Sequence, residues 1–266
     1  MLSSRLRDYW IFLLDLLTGS RLEAEQIASN QREERLSVYM DFTRPLRILD
    51  LANGRLRPQY EILVRQGHCV VGLDMANRRR GDWTDLAYRF ARWSYRRRLL
   101  SPPATGGSGL LCGDAARIPT SGNAFDLVTS IAAFEHFLDA PGVVREMHRV
   151  LRPDGIVYCG IHPFTCLSGG HNVQLMGLPI EQMPEGVEPW DHLRERRLPF
   201  HVPLNEWRIR QYVDEFSRHF EVLENRCFGW EGADLLTAEI EMEVASYSLE
   251  ELTCVFYMII GRKREK

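Results

Sequence analysis

Six cysteines occur in the 266 residues, and no two of them form a Cys-x-x-Cys pair. Cys69, Cys112, Cys159, Cys166, Cys227 and Cys254 are scattered, most within apolar strand-like runs. That removes the common zinc and dithiol spacings and predicts buried, reduced thiols in a cytoplasmic protein. Long apolar runs are also missing. The stretch "YWIFLLDLL" carries Asp15 and is too short to span a bilayer. No small-residue cleavage pattern accompanies it, so a helix packed on the domain is expected and membrane contact is not. Charge of one sign is not in excess: 33 Lys and Arg against 36 Asp and Glu leave a net charge of -3, which argues against a dedicated nucleic-acid binder. No internal repeat or low-complexity tract is found. With 45% hydrophobic and 26% charged residues, the chain suits one large α/β domain with a substantial core.

Glycine is scarce where a nucleotide site would want it most. The segment "RILDLANGRLRPQYEILVRQGHCVVGLD", residues 47–74, has the outline of a strand, a tight loop, a helix and a second strand ending in a carboxylate. Its loop "ANGRLRP" keeps only Gly54, so the glycine-rich fingerprint of a dinucleotide site is absent. Pro58 suits the first turn of the helix and Gly67 its end.

What is present alternates. "LRILDL", "HCVVGLD", "GLLCGDA", "FDLVTSI" and "IVYCGI" read as buried strands, and helical patterns intervene between them. Asp139 is placed to cap the helix that carries Val143, Val144, Met147 and Val150. Such alternation predicts a doubly wound, mostly parallel sheet covered on both faces. Residues 1–45 read as an N-terminal helical cap with a polar break at Ser29–Asn30, and residues 46–266 as the main domain. That domain has a basic helical insert at about 75–109, with eight arginines against two aspartates, and an irregular insert at about 162–204. Asn205 is expected to cap a further helix. "FEVLENRCF" and "LTCVFYMIIGRK" should finish the sheet as a hairpin-like pair.

In open parallel sheets, ligands sit beyond the carboxyl ends of the strands. Asp50, Asp74 and Asp114 stand at three of those ends, Ser130 and His162 at two more. Carboxylates repel a pyrophosphate but suit a ligand with an amino group, ribose hydroxyls and no phosphate. That describes S-adenosylmethionine. Taken singly, Asp50 could instead cap a helix and Asp114 make a turn.

The motifs "ILDLANG", "VVGLD", "GDAARIP", "NAFDLVTSIAAFEHFLD" and "EMHRVLRPDGIVY" resemble, in order, the class I S-adenosylmethionine-dependent methyltransferases. The resemblance covers about residues 46–161 and implies a Rossmann-like sheet of about seven strands, the last antiparallel. It implies that Asp50, Ala52, Asn53 and Gly54 surround the methionine portion of the cofactor. Asp74, with Met75 beside it, would hold the ribose hydroxyls, Gly113, Asp114 and Ala115 the adenine, and Ser130 and Ile131 the methionine side. The chain departs from the family pattern at Ala52 and Leu56, where glycines are usual. Leu56 is expected to crowd the cofactor or deny a left-handed backbone.

Methyl transfer from a sulfonium requires in-line placement of the acceptor and, for a hydroxyl or protonated amine, a base. His171, His162 and His136 are the candidate bases, with Glu135 a further one. No metal is required, and no metal-ligand spacing is evident. Trp190, His192, Phe200 and His201 are expected to wall an acceptor pocket. The basic insert either recruits an anionic acceptor or, the preferred reading, pairs with the acidic stretch "WEGADLLTAEIEMEVASYSLEE". The expected activity is O-methylation of a small-molecule acceptor, without nucleic acid and with a homodimer left open. The alternative is a catalytically degenerate methyltransferase-like binding or scaffold protein.

Overall fold

The computed structural model describes residues 18–77, 83–99, 107–171, 186–200 and 202–265. The apolar stretch at residues 9–17, Arg78–Arg80, His201 and residues 172–185 of the irregular insert lie outside them. The seven-stranded sheet has the order β3-β2-β1-β4-β5-β7-β6. The chain divides into two compact units, residues 1–114 and 115–266.

In the first unit, helix α1 (Ser20–Leu36) runs unbroken through Ser29–Asn30. The expected break is absent because Ser29 is buried within the helix, where tertiary packing overrides its weak propensity. Strand β1 (Arg47–Leu51) is buried on both faces beyond Arg47 and pairs in parallel with β2 (Cys69–Leu73), Asp50 opposite Gly72. Between them, α2 (Pro58–Arg65) starts at its proline. Helix α3 (Trp83–Arg98) then leads to β3 (Gly109–Leu111), parallel to β2. Leu22, Leu56, Ile62, Ala91 and Tyr95 form one core cluster and so tie α1, the β1–α2 loop, α2 and α3 together.

In the second unit, β4 (Phe125–Ile131) pairs in parallel with β5 (Leu151–Ile161), with a register shift between Phe125 and Leu127. Helix α4 (Ala140–Val150) joins them, and Asp139 caps it by accepting from the Gly142 amide at 2.9 Å. Helix α5 (Ile209–His219) is capped at Arg208 rather than Asn205. The Asn205 amide donates instead to the Phe134 and Phe137 carbonyls, and its oxygen accepts from Tyr212 Oη at 2.7 Å. Strand β7 (Cys254–Lys263) runs antiparallel to both β5 and β6 (Phe220–Trp230), as expected of the closing pair. Short helices α6 (Ala238–Glu243) and α7 (Leu249–Thr253) fill the β6–β7 connection and pack on Leu167 and Trp190.

Two expectations are corrected here. Cys227 and Cys254 form a disulfide that ties β6 to β7, whereas Cys69, Cys112, Cys159 and Cys166 are free thiols. The acidic stretch finds partners within its own unit, Glu243 with Arg194 and Glu251 with Arg208, while Arg96 of the basic helix pairs with Glu61. Among the described residues no helix is long and apolar enough to cross a membrane.

Candidate active site

The first unit gathers Asp50, Asn53, Gly54 and Asp74 at the carboxyl ends of β1 and β2. The loop between β1 and α2 turns through two left-handed non-glycine residues, Ala52 at φ 54° and Arg57 at φ 58°, besides Gly54 at φ 64°. The Ala52 amide donates to the Leu73 carbonyl at 2.7 Å, which holds the loop against β2. This winding sends Leu56 into the core, so the leucine does not crowd the strand ends. It is not left-handed either; the neighbouring Arg57 supplies that turn. A Cβ built on Gly54 would meet nothing within 4 Å, which leaves open space on that side of the loop.

Asp74 is half-buried and accepts from the Gly54 amide at 2.8 Å and the Ala76 amide at 2.6 Å. Asp50 is 3% exposed; its Oδ1 accepts from Gln59 at 3.2 Å and its Oδ2 has no hydrogen-bond partner. Burial pushes its carboxyl up to about 8, Arg32 opposing and Glu25 and Asp74 adding to the rise. Arg32 and Glu25 form an ion pair on α1 at 2.6 Å, a neighbour of Asp50 that sequence reasoning missed. Their spacing, two helical turns on one face, was the signal available. The side-chain nitrogen and oxygen of Asn53 are likewise buried without partners. Met75 is exposed, Gly113 half-buried and Asp114 exposed.

In the second unit, the residues concerned lie at the end of β4 and in the turn after it. Ala115 is buried, and Ser130 is fully buried with its Oγ unpartnered. Ile131 is half-buried. A single helical turn, Phe134–His136, then brings Glu135 inward. The three candidate histidines converge around it. Nε2 of His136 lies 3.8 Å from Glu135 Oε1, and Nε2 of His171 lies 4.0 Å from the same oxygen. The His171 ring is 4.7 Å from that of His136 and 5.1 Å from that of His162. His162 is further held by Ser168 Oγ at 3.1 Å from its Nε2, and Ser168 donates to Glu231. The "SGGH" turn that carries His171 needs its first glycine: a Cβ on Gly169 would stand 2.3 Å from the Phe164 carbonyl oxygen.

Burial raises the Glu135 carboxyl to about 7, backbone hydrogen bonds opposing. Burial also lowers the His171 imidazole to about 4, with His162, His136 and His192 adding to the fall. The expected walls Trp190 and His192 are each held by a hydrogen bond to the backbone. Trp190 donates to the Leu252 carbonyl at 3.0 Å, and His192 Nε2 sits 2.8 Å from the Phe164 carbonyl. With Phe200 they border a cavity of about 20 Å³, room for a water.

Residues 49–159 match the methyltransferase domain family. The chain carries an S-adenosylmethionine-dependent methyltransferase domain. Its fold is also that of solved relatives of low sequence identity. An S-adenosylmethionine-dependent methyltransferase from Mesorhizobium loti is 18% identical, with a TM-score of 0.53 over 86% of this chain and 96% of that one. One from Methanosarcina mazei is 16% identical, with a TM-score of 0.50 over 87% and 97%. A chain of the Haloferax volcanii complex that contains the Trm112 methyltransferase activator is 15% identical, with a TM-score of 0.52 over 96% and 98%. No curated protein matches the chain by sequence.

The residues of the methyltransferase domain fit the cofactor that its family uses. An amino group would satisfy the orphaned Oδ2 of buried Asp50, and hydroxyl groups could meet the free acceptor positions of Asp74. The Arg55 guanidinium lies over the Tyr88 ring, and burial pushes that of Arg57 down, Glu61 and Asp74 opposing.

Proposed function

We propose that this methyltransferase transfers the methyl group to an oxygen of a small-molecule acceptor, with Asp50, Asn53, Gly54 and Asp74 holding the cofactor. Met75, Gly113, Asp114, Ala115, Ser130 and Ile131 complete the cofactor's surroundings in this reading. The observation that supports it is the convergence of His136, His162 and His171 on the buried Glu135 just after β4.

S-adenosylmethionine supplies a methyl group on a sulfonium, so that transfer leaves a neutral thioether and needs no acid. An acceptor hydroxyl attacks carbon as the carbon–sulfur bond breaks with its electron pair going to sulfur; the oxygen must shed its proton. The buried Glu135 and the half-buried histidines around it supply basic atoms to which such a proton can go. Orientation by this cluster supplies the remainder of the rate.

The test offers methyl-labelled S-adenosylmethionine with a panel of small phenols, alcohols, carboxylates and amines, and locates the label by NMR. An O-methyl product, lost in His171→Ala and Glu135→Gln, supports the proposal. Label found on nitrogen or carbon overturns the oxygen assignment, and turnover unchanged in both variants removes the Glu135 cluster from the reaction.

A further inference from the structure

We propose that Glu135, His136 and His171 bind one divalent transition-metal ion, with zinc the ion their donor set fits most directly. The inference rests on reading this recess as the acceptor end of the site, and it adds a ligand that methyl transfer as such does not require.

The donor set is two imidazoles and one carboxylate, a combination used for metal centres that keep open positions. The three donor atoms lie within 4.8 Å of one another. Two ligands each about 2.1 Å from an ion stand at most about 4.2 Å apart, and the separations of 3.8 and 4.0 Å from Glu135 to the two imidazoles fall within that limit.

What the atoms lack is as telling. Glu135 is 1% exposed, and its Oε1 has no hydrogen-bond partner; the same holds for His171 Nε2. Both aim at the same space, yet 4.0 Å is too long for a hydrogen bond between them. A buried orphan carboxylate facing a buried orphan imidazole costs stability, and a cation between them would satisfy both. His136 is prepared in the way ligating histidines are. Its Nδ1 is 2.9 Å from the Pro203 carbonyl, which accepts from Nδ1–H and leaves the Nε2 lone pair directed at Glu135.

His162 also faces the cluster, but its Nε2 is engaged by Ser168 Oγ and lies 3.6 Å from Cys166 Sγ. It is left as the base beside the ion. With three protein ligands, an open coordination position faces the recess. The substrate class that suits it is an acceptor whose hydroxyl can ligate the ion and so lose its proton more readily.

The test uses the full chain stripped by chelator, titrated with zinc by calorimetry and with cobalt(II) by visible absorption. One equivalent of ion should bind, giving d–d bands of low coordination number without a thiolate charge-transfer band. His136→Ala and His171→Ala should each weaken binding at least tenfold, and His162→Ala should keep the stoichiometry. Absence of stoichiometric binding to the wild-type chain overturns the proposal whether or not the variants fold. So does a thiolate band, which would put the ion at Cys166 or another cysteine. Metal binding is read without turnover: an ion bound by a chain that transfers no methyl group leaves this site standing and sinks the oxygen-methylation reading alone.

Discussion

Cofactor binding should release a proton from Asp50. Its carboxyl, buried and pushed up to about 8, is protonated in roughly nine of ten ligand-free molecules at pH 7. An ammonium group placed against the orphan Oδ2 reverses the balance, because a buried carboxylate with a cationic partner ionises. Binding at pH 7 should therefore expel about 0.9 proton from this one side chain, falling to about 0.1 at pH 9. Calorimetric titration of S-adenosylmethionine in buffers of different ionisation enthalpy reads the number as a slope. The cofactor's own amino group also titrates, so the relevant quantity is the difference between the wild-type chain and Asp50→Asn. Equal slopes for the two at pH 7 would refute the assignment of Asp50 to the amino group. The same shift has a sign in the free protein. The folded value lies above the unfolded one, so Asp50's contribution to stability is most favourable below about pH 4, declines as pH rises and levels off above about 8. Asp50→Asn should flatten that part of the melting-temperature profile.

Leu56→Gly should lower stability by about 2–5 kcal/mol, because the side chain fills the cluster of Leu22, Ile62, Ala91 and Tyr95; tighter cofactor binding with an unchanged melting temperature would contradict its inward placement. Glu135→Gln should lower kcat at least tenfold while leaving the affinity for S-adenosylmethionine within about twofold, since it serves the acceptor; steady-state kinetics alongside direct binding checks the split. Reducing the Cys227–Cys254 disulfide, which closes a separation of 27 residues, should cost about 3 kcal/mol in a denaturant titration, and no shift of the midpoint with reductant would show that the bond carries no stability.

Strand ends were readable because each short apolar run stops at a polar residue: Asp50, Asp74, Ser130 and His162 are where the alternation placed them. The loop between β1 and α2 was not. Its course depends on Ala52 and Arg57 taking left-handed conformations, which non-glycine residues rarely do, so nothing in "ANGRLRP" announced that Leu56 would face inward. The disulfide was hidden for a different reason, since only the antiparallel pairing of β6 with β7 brings Cys227 and Cys254 within a Cα separation of 5.8 Å. His136, His162 and His171 could each be suspected alone. Their meeting over Glu135 depends on the turn after β4, the end of β5 and the Gly169 turn together, and no spacing rule in one chain encodes that.

The most direct test of the central claim is equilibrium dialysis of labelled S-adenosylmethionine against the wild-type chain and Asp74→Ala. One equivalent should bind to the wild type. The variant should bind about 5- to 150-fold more weakly, the loss of a hydrogen-bonding partner worth about 1–3 kcal/mol. A wild-type chain that takes up no cofactor, or an Asp74→Ala chain that takes it up equally well, would contradict the account.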